Sequence, residues 1–596
     1  MALINGARIV TKVFESFGID QTFTLSSGHL EGLYRSIDKD TDIKISDHRN
    51  EQAAGFAALG YAKTTGKIGV ALIACGPGIT NVVTPVAGAY TDAIPMLIIG
   101  GANPVRDFDT LPMNGFAAST DAHCKLMESI TKWAIQIPHI ARLADLLGLA
   151  IRRALSGRPG PVYVDLPQDI LYAEIEESEV RYLNADVKAI PPVPAPEAVN
   201  FILDKLNKAE RPLIGIGTAA VTSQCSEELV DLAEKLDIPV MTNNKSRGAM
   251  PTNHPLWAKN LATMAAMAHR GYTPDVALII GARFGLYTGG WRNDAIPKDT
   301  YIIQVDIDGS EFGRCHDANY SVVADAKQTL RALLEAANKV ELTDHSEWAQ
   351  IVHEATNKGK SASLQLQGDK DGVIHPGDLA KIVASKVPDE AIVALCGGEA
   401  QVWGDAVFPS VGPNKCVAKG YLGNIGEGLP QAIGAKVAHP DELVVCYTGD
   451  GAVGYSFAEF ETMARNHLPV LVVVSNNGSW GMCAHFSDLG YPNDGWHCAA
   501  DFTNAIRYDL AAQGLGAHGE FCTKLNEIGP AMDRALEAVK NGKPALVNVV
   551  VDNDPRIIPP FTSRACPHPA GYRDEKGRLY VPCSNGLFLD PPLSKD

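Results

Sequence analysis

Two consecutive apolar runs, each closed by small polar residues, constrain this chain most. The run at 443–447 leads into Gly449-Asp450-Gly451, and the run at 470–474 leads into Asn476-Asn477. With no polar alternate face, each run reads as a strand buried on both sides, as a parallel sheet requires. Parallel neighbours need a crossover of about a dozen residues or more, and the interval between the runs is long enough for a helix. Such a pair brings a carboxylate and an amide oxygen to one carboxyl edge, where open α/β sheets bind ligands. Hard oxygen donors of this kind suit Mg²⁺ or Ca²⁺. Glycines beside the aspartate let backbone N–H groups approach an anion such as a diphosphate.

Short apolar strands recur along the chain, at 68–74, 95–100, 161–167, 212–216, 238–241, 276–280 and 301–305, separated by helical patterns. That alternation predicts an α/β fold of doubly wound parallel sheets. A Pro-rich segment at 190–196 and a polar stretch at 343–371 divide it. The expected domains are therefore 1–187, 190–345 and 360–558, followed by a Pro- and Gly-containing, extended tail at 559–596. The middle domain carries Gly215-Ile216-Gly217-Thr218-Ala219-Ala220 after a strand. This fits a dinucleotide fingerprint, but a tight strand–helix turn is the preferred reading.

Composition excludes several classes. A net charge of −17 argues against nucleic acid or an anionic membrane as the main partner. No run of about 18 apolar residues predicts a transmembrane helix. The first residues show no basic segment followed by an apolar stretch, so a cytoplasmic location is expected. Twelve cysteines without a CxxC pair read as reduced thiols, although Cys566 and Cys583 in the tail could pair.

A second constellation lies near the N-terminus. Ser46-Asp47-His48-Arg49-Asn50-Glu51 opens a helix rich in Ala and Gly, and Gly76-Pro77-Gly78-Ile79-Thr80-Asn81 follows the next strand. Taken with Gly449-Asp450-Gly451 and Asn476-Asn477, this order resembles the thiamine diphosphate-dependent enzyme superfamily, the acetolactate synthase-like group, up to about residue 555. The resemblance implies pyrimidine-binding, central and diphosphate-binding domains with thiamine diphosphate and Mg²⁺ as cofactors. It implies that Glu51 shares a proton with the aminopyrimidine ring. Asp450, Asn477 and Ser479 would hold Mg²⁺. Gly449, Gly451, Ala452, Trp480 and Gly481 would meet the diphosphate side. Gly76, Asn81, Gly398, Glu399, Ala400 and Gly423 would line the cofactor, and Ile425 would wedge beneath it.

Within the superfamily, Gly281-Ala282-Arg283-Phe284, Gly420-Tyr421-Leu422-Gly423 and Ser27-Gly28-His29 look most like benzaldehyde lyase, with acetolactate synthases and hydroxyacyl-CoA lyases behind. That likeness implies cleavage or formation of 2-hydroxy ketones from aldehydes. His29 would move a proton at the substrate oxygen, and Gly28, Ala117, Ala118 and Gln401 would contact substrate. The plain alternative for His29 is a polar residue opening the next helix. The loop at 114–123 lacks the lyase glutamine, which leaves His123 and Gln401 as candidates for that polar role. The competing expectations are an acetolactate synthase-like 2-oxo acid decarboxylase and carboligase, a 2-hydroxyacyl-CoA lyase, or an inactive regulatory relative. In the superfamily pattern, Glu51 and Asp450 of one site come from different subunits. A homodimer is thus the minimum and a tetramer the expected assembly, with small molecules as the only other partners.

Overall fold

The computed structural model describes residues 2–107, 110–115, 121–187, 189–261, 263–268, 271–285, 296–363, 372–418, 420–490, 495, 497–503, 506–553, 572–573 and 579–580. Three six-stranded, all-parallel sheets carry the fold. The first contains β1 (Gln21–Thr24), β2 (Lys44–Asp47), β3 (Gly69–Ile73), β4 (Met96–Ala102), β5 (Trp133–Gln136) and β6 (Pro161–Pro167), in the order β2-β1-β3-β4-β6-β5. The second contains β7 (Pro212–Ile216), β8 (Val240–Thr242), β9 (Trp257–Asn260), β10 (Val276–Ile280), β11 (Tyr301–Asp306) and β12 (Tyr320–Val323), in the order β9-β8-β7-β10-β11-β12. The third contains β13 (Ile392–Leu395), β14 (Cys416–Ala418), β15 (Val444–Gly449), β16 (Val470–Asn476), β17 (His518–Cys522) and β18 (Ala545–Val550), in the order β14-β13-β15-β16-β18-β17.

The first and third sheets share one strand order, and the middle sheet has the 3-2-1-4-5-6 order of dinucleotide-binding folds. The apolar runs explain themselves in the packing. On the first sheet Val70, Leu72, Leu97 and Ile99 enter one core, while Ala71, Ile73, Met96 and Ile98 enter the core on the opposite face. Both faces are covered, so no polar alternation survives.

The chain groups into two compact units. One holds residues 1–190, 419–442 and 456–469; the other holds 191–418, 443–455 and 470–596. Two segments within the expected 360–558 domain thus pack with the first unit. Small residues are the physical reason. A Cβ on Gly60, in the helix Glu51–Thr65, would stand 2.3 Å from the Gln431 carbonyl oxygen. A Cβ on Gly434, in the helix Gly428–Ala438, would stand 1.9 Å from that of Ala57. Only glycine lets these two helix backbones approach so closely.

The Gly215–Ala220 motif in the second unit is a tight turn. Gly217 N–H donates to the Ile280 carbonyl at 3.0 Å, and a Cβ there would lie 2.2 Å from the Gly281 carbonyl oxygen. The helix that follows, Ala219–Thr222, is four residues long. Gly217 is needed there because the Gly281–Ala282 backbone packs against it.

Among the described residues, no helix is long and apolar enough to cross a membrane, and every cysteine is free. Cys566 and Cys583 lie outside the described residues. Of the tail, only the antiparallel pair Tyr572–Arg573 and Leu579–Tyr580 is described.

Candidate active site

In the second unit, β15 and β16 pair in register, Thr448 with Val474 and Gly449 with Ser475, so their carboxyl ends coincide. Asp450 opens the short helix Asp450–Gly454 directly after β15. Its carboxylate is buried and accepts from Gly451 N–H at 2.9 Å and Gly478 N–H at 2.8 Å. Burial pushes its pKa up to about 6 despite these donors. A buried carboxylate held by backbone alone is suited to a cation.

The two asparagines separate by side-chain direction. Asn476 is fully buried; its Nδ2 donates to Asn548 Oδ1 at 3.1 Å and to the Ile506 carbonyl at 3.3 Å. Asn477 instead donates to Glu399 Oε2 at 3.3 Å and accepts from Ser479 N–H at 3.2 Å. Asn476 is thus a strut at the sheet edge, its Oδ1 also accepting from Gly478 N–H at 3.3 Å, whereas Asn477 faces Glu399. Asn476→Ala should lower stability by about 1–3 kcal/mol, because it leaves the buried Asn548 oxygen short of a donor. Urea unfolding checks this, and a loss below a few tenths of a kcal/mol would refute the strut.

Trp480 lies over Gly451. A Cβ at 451 would meet its ring at 2.3 Å, and Phe502 meets the ring edge-on with centroids 5.0 Å apart. Gly481 flanks the same cluster: a Cβ there would fall 2.4 Å from Asn477 Nδ2. Ala452 and the Ser479 side chain are buried, and among the described residues Ser479 Oγ has no hydrogen-bond partner.

The helix Glu399–Val407, with Gly398 at its N-cap, brings a second carboxylate into contact. Burial pushes Glu399 up to about 7, although Trp403 Nε1–H and Asn477 both donate to it. Ala400 lies next to Gly449, and Gln401 is buried with its Oε1 unpartnered among the described residues. Among the described residues no group of three His, Cys, Asp or Glu side chains is placed to hold a metal. A cation here would draw on one carboxylate plus amide and backbone oxygens. That donor set leaves coordination positions for phosphate oxygens, so the residues fit Mg²⁺ and a diphosphate.

In the first unit, Glu51 is the first residue of its helix, capped by Asn50, whose Oδ1 accepts from Gln52 N–H at 2.8 Å. The carboxylate is buried and accepts from Asn81 Nδ2 at 3.0 Å, which brings together two residues 30 positions apart. Gly76 makes the turn that delivers Asn81: its φ is +66°, and a Cβ would meet the Asn114 carbonyl oxygen at 2.0 Å. Just upstream of Glu51, His48 Nδ1 lies 2.9 Å from the buried Glu459 Oε2, while Arg49 N–H donates to Oε1 at 2.9 Å. The sequence gives no sign of this pair, because its members lie 411 positions apart.

Gly28 and His29 form a short 3-10 turn after β1, and His29 Nε2 sits 3.2 Å from Asn103 Oδ1. His123 is buried against Asp165, Nδ1 to Oδ1, at 3.0 Å. Burial opposes its charge, but the Asp165 and Cys75 contacts outweigh it and push its pKa up to about 9. The Gly76 N–H donates to Nε2 at 3.4 Å, a contact only the neutral ring can accept and which therefore works against that charge. Gly423 and Ile425 stand on a loop that groups with this unit, with Ile425 38% exposed. Ala117 and Ala118 lie outside the described residues.

Comparison with known proteins agrees with this geometry. The N-terminal TPP binding domain, the central domain and the C-terminal TPP binding domain of thiamine pyrophosphate enzymes match residues 4–124, 199–333 and 397–549. The acetolactate synthase isozyme 1 large subunit of Escherichia coli is 31% identical over 557 residues, covering 93% of this chain and 95% of the relative. A probable acetolactate synthase large subunit of Methanococcus aeolicus is 30% identical, covering 94% of each chain. The acetolactate synthase large subunit of Corynebacterium glutamicum is 30% identical, covering 93% of this chain and 88% of the relative. These relatives are named as synthases, so the nearness to benzaldehyde lyase rests on the short loop motifs alone. The chain belongs to the thiamine pyrophosphate enzymes, whose cofactors are thiamine diphosphate and Mg²⁺.

Proposed function

We propose that the chain is an acetolactate synthase-like carboligase, releasing CO₂ from a 2-oxo acid and joining the remaining acyl unit to a second carbonyl compound. The observation that carries this reading is the similarity to acetolactate synthases over more than nine-tenths of the chain. Thiamine diphosphate supplies an electron sink for carbanion chemistry at the acyl carbon. In this reading Glu51 holds and returns a proton at the aminopyrimidine, oriented by Asn81. Asp450, the Asn477 amide and the Ser479 carbonyl hold Mg²⁺, and Gly451 and Ala452 give N–H groups to the diphosphate. Gly76, Gly398, Glu399, Ala400, Gly423, Gly449, Trp480 and Gly481 shape the cofactor's surroundings, with Ile425 beneath it. Gly28, Ala117, Ala118 and Gln401 contact substrate. The same proposal places the enzyme in the cytoplasm as a homo-oligomer. Its minimal active unit is a dimer, and an active monomer in ultracentrifugation at assay concentration would refute that.

A second reading, an acyloin lyase, is favoured by His29, which has a polar partner and stands at the carboxyl edge of the first sheet. Cleavage of a 2-hydroxy ketone requires removal of its hydroxyl proton as the carbon–carbon bond breaks. Carboligation requires the reverse, a proton given to the acceptor oxygen. Decarboxylation needs neither.

Incubation with pyruvate, acetoin and benzoin in parallel tests the assignment. Acetolactate and CO₂ from pyruvate are expected. Aldehydes from acetoin or benzoin, without CO₂ from pyruvate, would overturn it in favour of the lyase. His29→Ala should slow carbon–carbon bond making or breaking by about 10²-fold or more while sparing CO₂ release. Equal losses in both steps would reduce His29 to a packing role.

A further inference from the structure

We propose that Asn103 fixes the tautomer of His29, and that a buried row formed by Cys75, His123 and Asp165 holds Asn103 in position to do so. The inference rests on the reading of His29 as the residue that moves the substrate proton.

The strand order builds this row. β1, β3, β4 and β6 are consecutive neighbours in the first sheet. His29 follows β1, Cys75 follows β3, Asn103 follows β4, and Asp165 lies within β6 opposite Gly100. All four reach the carboxyl edge, and the helix Ala122–Glu128 adds His123. Asp165, fully buried, accepts from His123, from Tyr163 O–H at 2.6 Å and from Gln136 Nε2 at 2.9 Å. His123 Nε2 lies 4.0 Å from the Cys75 sulfur, within reach of a sulfur hydrogen bond. The thiol lies 3.4 Å from the Asn114 carbonyl, to which it can donate. With its proton spent there, the sulfur is left to accept, and Asn103 Nδ2 donates to it at 3.5 Å.

That last contact decides which way the Asn103 amide faces. Its NH₂ is committed to sulfur, so its oxygen is the atom turned to His29 Nε2. An amide oxygen only accepts. Nε2 of His29 must therefore carry the hydrogen, and Nδ1 keeps the lone pair that can take a proton. Gly101 lets His29 approach β4 closely, since a Cβ there would stand 2.8 Å from His29 Cβ. The elements packed against the 3-10 turn bring Asp169 and Tyr172 from the helix Gln168–Tyr172, and Glu31 and Arg35 from the helix Glu31–Asp40. Behind Asn103 lie Cys75 and His123. Among the described residues, Asn103 is the side chain within hydrogen-bond reach of the ring.

The test uses the full chain with thiamine diphosphate and Mg²⁺. Diethyl pyrocarbonate modification of His29, mapped by mass spectrometry across pH, is measured beside turnover. Asn103→Asp places a carboxylate against Nε2–H and should move the pH midpoint of His29 modification upward by about one unit or more. Asn103→Ala should lower kcat about tenfold or more with KM little changed, and should speed His29 modification several-fold at fixed pH. Cys75→Ala, which frees the amide to rotate, should reproduce the Asn103→Ala effects in part. An unmoved midpoint in Asn103→Asp overturns the proposal. If that variant does not fold, an unchanged modification rate in Asn103→Ala does so instead. His29→Ala separates the two levels. Full carbon–carbon bond turnover in that variant removes the proton-carrying role, even where the Asn103→Asp shift confirms the contact. Loss of turnover with no Asn103→Asp shift removes the tautomer proposal and leaves the role of His29 standing.

Discussion

Asp450→Ala is expected to abolish Mg²⁺-dependent thiamine diphosphate binding while the chain stays folded. The carboxylate is buried at the end of β15 and held by two backbone N–H groups. Its removal leaves a cation only amide and backbone oxygens, and leaves the diphosphate's charge uncompensated. Calorimetry with and without Mg²⁺ checks this; unchanged cofactor affinity would refute the diphosphate-anchor role of the loop. The metal-free protein carries a related signature. Its folded-state pKa, about 6, lies above the ordinary value of 3.8, so the fold favours the protonated acid. This contribution is fully present below about pH 4 and is lost as pH rises through 6. At 1.36 kcal/mol per pKa unit it amounts to an order of 3 kcal/mol. Mg²⁺ should remove that loss, which thermal melts at pH 4.5 and 7 would detect.

Glu51→Gln is expected to retain cofactor binding and lose turnover by roughly 10²–10⁴-fold. The change preserves size, and the Gln oxygen can still accept from Asn81 Nδ2, which now holds the carboxylate at 3.0 Å. What is lost is the ability to take and return a proton. Near-normal turnover would mean that another group activates the cofactor. Unchanged binding with collapsed turnover would distinguish proton transfer from simple positioning.

The strands were legible because their residues leave little choice. The runs at 212–216 and 276–280 are apolar throughout, and each is observed as one strand over those bounds. At β15 and β16 the strands extend further than the runs, so that Gly449 and Asn476 close them as their last residues. Glu51 opens its helix behind the Asn50 cap, and Asn81 ends the short helix Pro77–Asn81 that follows the Gly76 turn, both at places that short local patterns mark. The grouping of 419–442 and 456–469 with the first unit was not readable. Glycine in a helix looks the same in sequence whether it weakens the helix or admits a neighbouring backbone at close range.

Local order therefore sufficed for the parallel α/β sheets and for the residue types of the candidate site, because burial on both faces and the chemistry of diphosphate binding each demand a short, contiguous pattern. Which asparagine of the pair faces Glu399, where His48 finds Glu459, and how Asn103 comes to lie between His29 and Cys75 were decided only by the tertiary structure. Those contacts depend on the lateral order of strands and the direction of side chains at their ends, and both follow from how distant segments pack.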